Sequence, residues 1–261
     1  MKTLLLTNDD GFLSTGLRSL REFLTANLDS QYDVNVVAPD RERSGISMSI
    51  TINHPLRLKQ IGEKQYAVDG TPVDCINIAL QKILPQWPDF IISGMNEGEN
   101  LCEDVFFSGT VAAAYTGHLY GVPSLASSLI PNKKNGKFNY EAGSQITARV
   151  LAHLLPLKNT NVVYNLNIPY HNTGKLMVTS LGLKRYKPTI EERIDPRQRK
   201  YYWIGTGKPQ NTGDKETDLQ TTAEGNISLG VLKYDLNEPE EMKKLSEIIN
   251  DRENNSSQNK N

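Results

Sequence analysis

Apolar runs and stretches of helical periodicity alternate along the first two thirds of the chain. The first run, Lys2–Thr7, predicts a buried strand that ends in a turn at Gly11. Ser14 is then placed to cap a helix whose apolar residues recur every three or four positions, at Leu17, Leu20, Phe23 and Leu24. Residues 33–38 predict a second strand. This strand–helix–strand order indicates parallel strands joined by a right-handed crossover.

The same alternation continues through the middle of the chain. Helices are predicted from Thr71, from Ser108 and around Ile146. Further strands are predicted over residues 89–93, 123–129 and 161–166. The first of these is expected to break at Gly94. Together these elements predict an α/β fold, with a three-layer, Rossmann-like, mostly parallel sheet.

The pattern changes after about Gly174. Residues 184–202 are rich in charge and tyrosine, with little periodicity, and lie between strand-like runs at 176–179 and 201–204. An exposed arm of this kind is more typical of an oligomer contact than of a catalytic unit. We therefore divide the chain into three parts: a Rossmann-like core at 1–174, a C-terminal oligomerisation region with an arm and a closing helix at 175–250, and a disordered polar tail at 251–261.

Composition narrows the possible functions. The 261 residues carry 29 basic and 30 acidic side chains, which leaves no basic excess for binding a nucleic acid polymer. The two cysteines, Cys75 and Cys102, form no CxxC pair, which is typical of a reducing compartment. The chain shows no signal-peptide core and no apolar run of about 20 residues that could enter a membrane. We therefore predict a soluble cytoplasmic protein.

Three polar loops follow predicted strands at their carboxyl ends, where open parallel sheets bind ligands, at residues 8–11, 39–45 and 93–96. Asp9 and Asp10 leave the first strand together, and Gly11 lets the backbone turn so that both carboxylates approach one point. Such a pair repels unless a cation neutralises it or one group is protonated. Hard cations take oxygen ligands, and Ser44 and Asn96 supply neutral ones. Alone, Asp-Asp-Gly is a common surface turn; with the other two loops it predicts a metal site.

An anion site is predicted beside the metal site. Ser108, Gly109 and Thr110 open a helix whose free N–H groups and dipole favour an anion. Ser108 also fits an ordinary helix cap, which is the simpler interpretation of that residue by itself. The glycine-containing stretch at residues 94–100 can wrap closely around a bound group.

The remaining candidates are weaker. Arg41 and Arg43 flank Ser44, where they are placed either to grip a phosphate or to pair with neighbouring acids, and the sequence leaves both open. The four histidines are scattered without the spacing of metal ligands, so we assign them structural or exposed positions.

These motifs resemble the SurE survival protein family of bacteria and archaea. The resemblance rests on five stretches that occur in the family's order, at residues 6–11, 36–45, 70–75, 88–96 and 98–114. A looser match continues at residues 165–169, 195–197, 202–205, 217–218 and 223–225. The chain departs from the family at Cys102, where glycine is usual, at Phe107, where tyrosine is common, and at Thr116, which replaces an acidic residue.

The resemblance implies a metal-dependent 5′-nucleotidase, which removes phosphate from nucleoside 5′-monophosphates, with residues 1–174 as the catalytic core. It implies one divalent cation per subunit, Mg²⁺ or Mn²⁺ with Ca²⁺ as an alternative, held by Asp9, Asp10, Ser44 and Asn96. The residues that it places beside the phosphate are Asn100, Ser108, Gly109 and Thr110. The arm becomes a hairpin that reaches over a partner subunit, giving a homodimer or homotetramer.

Our mechanistic hypothesis makes Asp9 and Asp10 the catalytic residues. With the cation, they activate a water that attacks phosphorus in line, although an aspartate acting as the nucleophile stays open. The alternative function is a regulatory protein that binds nucleotides without hydrolysing them. A dinucleotide oxidoreductase is disfavoured because the first strand ends in Asn-Asp-Asp-Gly and not in a G-x-G-x-x-G turn.

Overall fold

The computed structural model describes residues 2–28, 32–185, 189–205, 210–211 and 216–258. The chain has a nine-stranded, mostly parallel sheet with helices on both faces, which confirms the predicted fold class. The strands are β1 Lys2–Thr7, β2 Tyr32–Pro39, β3 Leu58–Gly62, β4 Gln65–Val68, β5 Phe90–Glu97, β6 Ser124–Ile130, β7 Val163–Pro169, β8 Leu176–Thr179, β9 Lys184–Arg185, β10 Thr189–Ile194, β11 Lys200–Gly205, β12 Gln210–Asn211 and β13 Ile227–Leu232. The helices are α1 Thr15–Asn27, α2 Pro72–Ile78, α3 Gly109–Leu119, α4 Tyr140–Leu154, α5 Asp218–Ala223 and α6 Pro239–Gln258.

The order in which the chain adds strands to the central sheet reverses at β1. Its strand order is β3-β4-β2-β1-β5-β6-β7-β13-β8, and the six strands from β4 to β7 are parallel. Leu5 of β1 pairs with Asn35 of β2 on one side and with Ile91 of β5 on the other. The chain builds the sheet outward from β1 in both directions, so the crevice for a ligand lies beyond the carboxyl ends of β1, β2 and β5.

Two apolar layers hold the helices against the sheet. Leu20 of α1 and Val150 of α4 are fully buried against one face of the sheet. Ile76 of α2 and Ala113 of α3 are fully buried against the other face. Each large buried side chain stabilises the fold by roughly 1.5–3 kcal/mol relative to its exposed state. Within the described part of the chain, no helix is long and apolar enough to cross a membrane.

The predicted helix starts are confirmed in detail. The Ser14 hydroxyl accepts a hydrogen bond from the Leu17 amide, at 3.4 Å, and caps α1. At α2, the Thr71 hydroxyl accepts from the Asp74 amide at 3.1 Å, and the Asp74 carboxylate accepts from the Thr71 amide at 2.9 Å. This reciprocal pair is a capping box, and it satisfies two amides that the helix itself leaves unpaired.

The prediction that the strand at 89–93 ends at Gly94 is wrong. β5 continues to Glu97, and Gly94 takes a φ of +138°, which only glycine adopts readily. The register against β6 shifts between Ser93 and Asn96, after which Asn96 pairs with Ser128. The glycine therefore introduces a bulge and does not end the strand. Asn96 follows this bulge and lies near the carboxyl end of β5.

The C-terminal part is divided between the sheet and an arm. β8 and β13 lie beyond residue 174 but hydrogen-bond within the central sheet, because β13 pairs antiparallel with β7. β10 and β11 form a separate antiparallel hairpin, in agreement with the predicted arm. The exposed apolar side chains of this hairpin are Ile190, Ile194, Tyr201, Tyr202, Trp203 and Ile204.

Helix α6 continues to Gln258, past residue 251, where the sequence predicts a disordered tail. Its start explains why the helix forms: Pro239 suits the first position, and Glu240 and Glu241 lie in the first turn, where negative charge is favourable. The remainder of the predicted tail, residues 259–261, lies outside the described residues.

Candidate active site

The loop after β1 is braced from several sides. Gly11 takes a φ of +96°, and a Cβ there would stand 2.8 Å from the Arg41 carbonyl carbon. The Asn8 side-chain amide donates to the Gly11 carbonyl at 3.0 Å and to the Ser14 hydroxyl at 2.7 Å. The Phe12 amide donates to the carbonyl of Pro39 at the end of β2, at 2.7 Å. These bonds fix the turn that carries the two aspartates.

Asp9 is buried against the start of α3. Its side chain is 3% exposed and accepts a hydrogen bond from the Thr110 hydroxyl. Burial raises the pKa of Asp9, while the Thr110 hydroxyl and the backbone amides of Thr110 and Gly109 oppose that rise. A Cβ at Gly109 would lie 2.8 Å from the Asp9 Cβ, so only glycine allows this approach. The amino end of α3 thus faces a carboxylate.

Asp10 lies beside Asp9 and is more open to solvent. Its carboxylate accepts a hydrogen bond from the Glu97 amide at 3.0 Å. Burial, followed by the negative charge of Asp9, raises the pKa of Asp10 to about 7. The state in which Asp9 and Asp10 are both ionised is therefore unfavourable, as the sequence predicts for two carboxylates close together.

The other two predicted metal ligands lie on neighbouring segments, Ser44 on the loop after β2 and Asn96 near the end of β5. The Arg43 amide donates to the Asp9 carbonyl at 2.7 Å, which brings the loop after β2 against the pair. Ser44 follows directly, but its exposed hydroxyl bonds to Glu42, at 3.0 Å. The Asn96 side-chain nitrogen donates to the Gly98 carbonyl at 2.9 Å, so its amide oxygen is the atom available to a ligand. The loop after β2 and the end of β5 both contact the acidic pair, through the amides of Arg43 and Glu97, while the Ser44 hydroxyl is bonded to Glu42.

These donors fit a hard divalent cation. Two carboxylates, one hydroxyl and one amide oxygen offer the oxygen ligands that Mg²⁺ and Mn²⁺ accept, and a cation there removes the repulsion of the pair. Among the described residues, no three histidine, cysteine or acidic side chains group as metal ligands. Such a site therefore relies on neutral oxygens or water to complete its coordination.

Arg41 and Arg43 pair with an acid in the structure. Their guanidinium groups lie 3.8 and 3.9 Å from the carboxylate of Asp40. Arg43 also donates to the Asp69 carbonyl at 3.3 Å. Of the two interpretations that the sequence leaves open, the geometry shows pairing with a neighbouring acid.

The predicted phosphate residues have defined partners in the structure. The Ser108 hydroxyl accepts from the Val111 amide at 3.1 Å, which is the ordinary helix cap. Gly109 and Thr110 contact Asp9, as described above. Asn100 is buried, and its side-chain amide donates to the Ser128 hydroxyl at 2.8 Å. Of these residues, Gly109 and Thr110 are the ones that contact the acidic pair, and the assignment of all four to phosphate stays a prediction.

Two asparagines on β7 hold the loop that contains Asn100. The side-chain amides of Asn165 and Asn167 donate to the Asn100 carbonyl at 2.8 and 3.1 Å, and the Asn167 side-chain oxygen accepts from the Asn100 amide at 2.9 Å. The sequence motifs predicted no role for Asn165 or Asn167. A signal was present, since polar residues at alternate positions of an otherwise apolar, fully buried strand point to one face and need partners there.

An apolar cavity of about 510 Å³ lies on another side of Ser108. Phe106, Tyr115, Leu181 and Tyr234 line it, and among the described residues no acidic side chain does. The cavity therefore lacks the carboxylates that the acidic pair offers to a cation.

Fold and site together define a doubly wound α/β protein with a buried acidic pair at its topological switch point. The family model described as "Survival protein SurE" matches residues 4–188. The chain belongs to the SurE family.

Relatives cover nearly the whole chain. It is 40% identical over 254 residues to "5'-nucleotidase SurE" of Caldanaerobacter subterraneus subsp. tengcongensis, covering 94% of this chain and 96% of that protein. It is 39% identical to the protein of the same name from Vibrio vulnificus, covering 93% of each. The crystal structure of SurE from Aquifex aeolicus matches with a TM-score of 0.80 at 34% identity, covering 94% of this chain and 99% of that one.

Proposed function

We propose that this protein is a metal-dependent phosphatase that hydrolyses nucleoside 5′-monophosphates to nucleosides and phosphate. The observation that carries the proposal is the buried Asp9–Asp10 pair at the carboxyl ends of the parallel strands, framed by neutral oxygen donors and the start of α3. The substrate class follows from the relatives, which carry the name 5'-nucleotidase SurE.

The proposed metal ligands are Asp9, Asp10, Ser44 and Asn96. A divalent cation bound there supplies charge neutralisation at the phosphoryl oxygens and lowers the pKa of a bound water. Asp9 is held rigidly by Thr110 and the amides of α3, which suits a fixed ligand. Asp10 is the more accessible carboxylate, so it orients the attacking water and accepts its proton.

Asn100, Ser108, Gly109 and Thr110 are proposed to border the phosphate. The supporting observation is that the start of α3, at Gly109 and Thr110, contacts Asp9, and that the segment from Asn100 leads to this helix start. A positive helix end beside a cation favours the equatorial oxygens of a transferring phosphoryl group.

A nucleotide panel tests the function directly. Phosphate release is measured from nucleoside 5′-monophosphates in chelator, and again after addition of Mg²⁺, Mn²⁺ or Ca²⁺. We expect release that depends on added metal. Metal-independent nucleotide binding without phosphate release would instead favour the regulatory, non-hydrolysing protein. Trapping of phosphate covalently bound to the enzyme during turnover would identify an aspartate, and not water, as the nucleophile.

We also propose that the arm mediates a homodimer or homotetramer. The support is the exposed apolar surface of the β10–β11 hairpin, where Trp203 is 58% and Ile204 77% exposed. Light scattering after gel filtration should give a mass of two or four chains. Replacing Trp203 and Ile204 by serine should shift that mass towards one chain, and an unchanged mass would contradict the role of the arm.

A further inference from the structure

A buried carboxylate outside the acidic pair joins three distant parts of the chain. Asp218, the first residue of α5, is 1% exposed. Its Oδ2 accepts from the Cys102 amide at 2.8 Å, and its Oδ1 accepts from the amides of Gly182 and Leu219 at 2.8 and 2.7 Å. Cys102 belongs to the loop after β5, and Gly182 leads into the arm. The carboxylate therefore replaces its lost hydration with backbone amides of separate segments.

A buried lysine makes a second connection between the same segments. Lys184, at the base of the arm, is 8% exposed, and its Nζ lies 2.9 Å from the Asp104 carboxylate and 3.7 Å from that of Glu99. Its amide donates to the Glu103 carboxylate at 2.7 Å. The base of the arm thus contacts the loop on both sides of Cys102.

The contacted loop leads straight to the site. We call residues 99–110 the site segment. It begins beside Asn100, whose carbonyl is held by Asn165 and Asn167, and it ends at Thr110, which donates to Asp9. In between, Cys102 takes a φ of +53°, a left-handed conformation that non-glycine residues rarely adopt. Such a conformation persists where surrounding contacts impose it, and the bond to Asp218 is one of them.

We propose that Asp218 and Lys184 are positioning residues that clamp the site segment and so set the geometry of the phosphate side of the active site. The inference rests on the proposed function. Among the contacts of the described residues, neither one touches the acidic pair: Asp218 acts through the backbone amide of Cys102, and Lys184 through the carboxylates of Glu99, Glu103 and Asp104. The clamp thus ties the site segment to the base of the arm at Gly182 and Lys184.

Asp218→Asn is the sharpest variant because it keeps the shape of the side chain. The side-chain amide of asparagine has one oxygen, where the carboxylate has two. Its NH₂ group must therefore face the backbone N–H of Cys102 or those of Gly182 and Leu219, and a donor then faces a donor. Small misplacements of reacting groups cost up to about 100-fold in rate. We expect kcat/KM to fall about 10- to 100-fold. The affinity for inorganic phosphate should weaken, while the affinity for Mn²⁺ stays close to that of wild type.

Thr222→Val is the matched control. The Thr222 hydroxyl donates to the backbone carbonyl of Asp218, at 2.8 Å, within the same short helix. This variant perturbs α5 without touching the carboxylate, so its kinetics and phosphate affinity should match wild type. If Asp218→Asn and Thr222→Val behave alike in both measurements, the clamp is disproved.

Lys184 provides a second pair of variants should Asp218→Asn fail to fold. Lys184→Met removes the charge that holds Asp104, whereas Lys184→Arg restores a cation of similar reach. We expect the methionine variant to lose kcat/KM and phosphate affinity and the arginine variant to recover most of both. Wild-type values for Lys184→Met, in a protein with an unchanged circular dichroism spectrum, would overturn the proposal.

Phosphate binding, measured by calorimetry in the presence of Mn²⁺, separates this inference from the proposed function. If wild type does not hydrolyse nucleotides but binds inorganic phosphate, and Asp218→Asn weakens that binding, the proposed function fails and the clamp stands. If wild type turns over normally and the clamp variants do too, only the clamp fails. If wild type neither binds nor releases phosphate, both are wrong.

Discussion

Two buried aspartates, Asp9 and Asp218, lie at helix starts in this molecule and have opposite surroundings. Asp218 is 1% exposed and accepts hydrogen bonds from three backbone amides, with no other carboxylate among the partners described. Asp9 is 3% exposed, also faces amides and a hydroxyl, but has Asp10 beside it, and its pKa is raised by burial. The carboxylate of Asp218 thus has hydrogen-bond donors and, among its described partners, no charged group of the same sign, whereas that of Asp9 is buried beside a second carboxylate.

The difference separates a carboxylate that organises structure from one poised for a ligand. Backbone amides compensate the burial of Asp218, so the protein needs nothing more there. At Asp9 the amides compete with the neighbouring charge of Asp10, and only a proton or a cation resolves the conflict. Burial alone therefore does not mark a functional acid, whereas burial together with an uncompensated neighbour does.

The largest effect is expected from Asp9→Asn. Changing a residue that merely orients a metal ligand already costs about 10- to 100-fold in activity or affinity, so losing a ligand that also contacts α3 should lower kcat/KM at least about 1,000-fold. Steady-state phosphate release in Mn²⁺ measures it. Asp33→Asn, which breaks a surface pair with Lys64 at 2.7 Å, should leave kcat/KM unchanged. Wild-type turnover by Asp9→Asn would remove the acidic pair from the mechanism.

Asp218→Ala should instead act mainly on stability. It strands two buried amides and one partly buried amide, and an unsatisfied buried amide costs roughly 1–3 kcal/mol, so we expect the free energy of unfolding to fall by about 3 kcal/mol. Urea denaturation in the presence of chelator measures the loss. A change below about 0.5 kcal/mol, the size typical of a neutral surface substitution, would mean that Asp218 does not hold these segments together.

Metal removal should distinguish the acidic pair from the region of α5 by its effect on thermal stability. A ligand at about 100 times its Kd stabilises the folded state by about 2.7 kcal/mol, so Mn²⁺ should raise the Tm of wild type relative to chelator. The same increase is expected in Thr222→Val and should be absent in Asp9→Asn. An equal increase in Asp9→Asn would show that the cation binds elsewhere.

The smallest effect is a gain in stability. In chelator, Asp10→Asn removes a charge that burial and the repulsion from Asp9 both disfavour, and we expect the loss of the repulsion alone to stabilise the protein by about 1 kcal/mol. Because the pKa of Asp10 is raised from 3.8 to about 7, wild type loses stability as the pH rises through that window. The advantage of Asp10→Asn should therefore be full above pH 7 and vanish below pH 4. A constant difference across this range would contradict the assignment to Asp10.

Local signals in the sequence were sufficient for much of the fold. The apolar run of β1, the Ser14 cap and the Thr71–Pro72 helix start all lie where they were predicted, because each depends on neighbours within four residues. Gly94 was misread because a glycine inside a strand permits either a break or a bulge, and pairing with β6 decides which.

The candidate site divides in the same way. The Asp9–Asp10 pair and its turn were predicted, since adjacent residues before a glycine must stay together in space. The roles of Asn165 and Asn167 were missed because their partner, Asn100, is more than 60 residues away in sequence and meets them only when β7 joins the sheet. Asp218 and Cys102 are farther apart still, separated by 116 residues.

By itself the sequence determined many of the elements in the first two thirds of the chain, the acidic pair and the family to which the chain belongs, because these depend on short-range periodicity, capping and contiguous motifs. Only the tertiary structure decided that Thr110 and Gly109 support Asp9, that Ser44 turns to Glu42, and that Asp218 and Lys184 hold the site segment to the arm. The physical reason is that the partner of a buried charge depends on which distant segments come into contact in the folded chain. Periodicity along the sequence carries no information about those contacts.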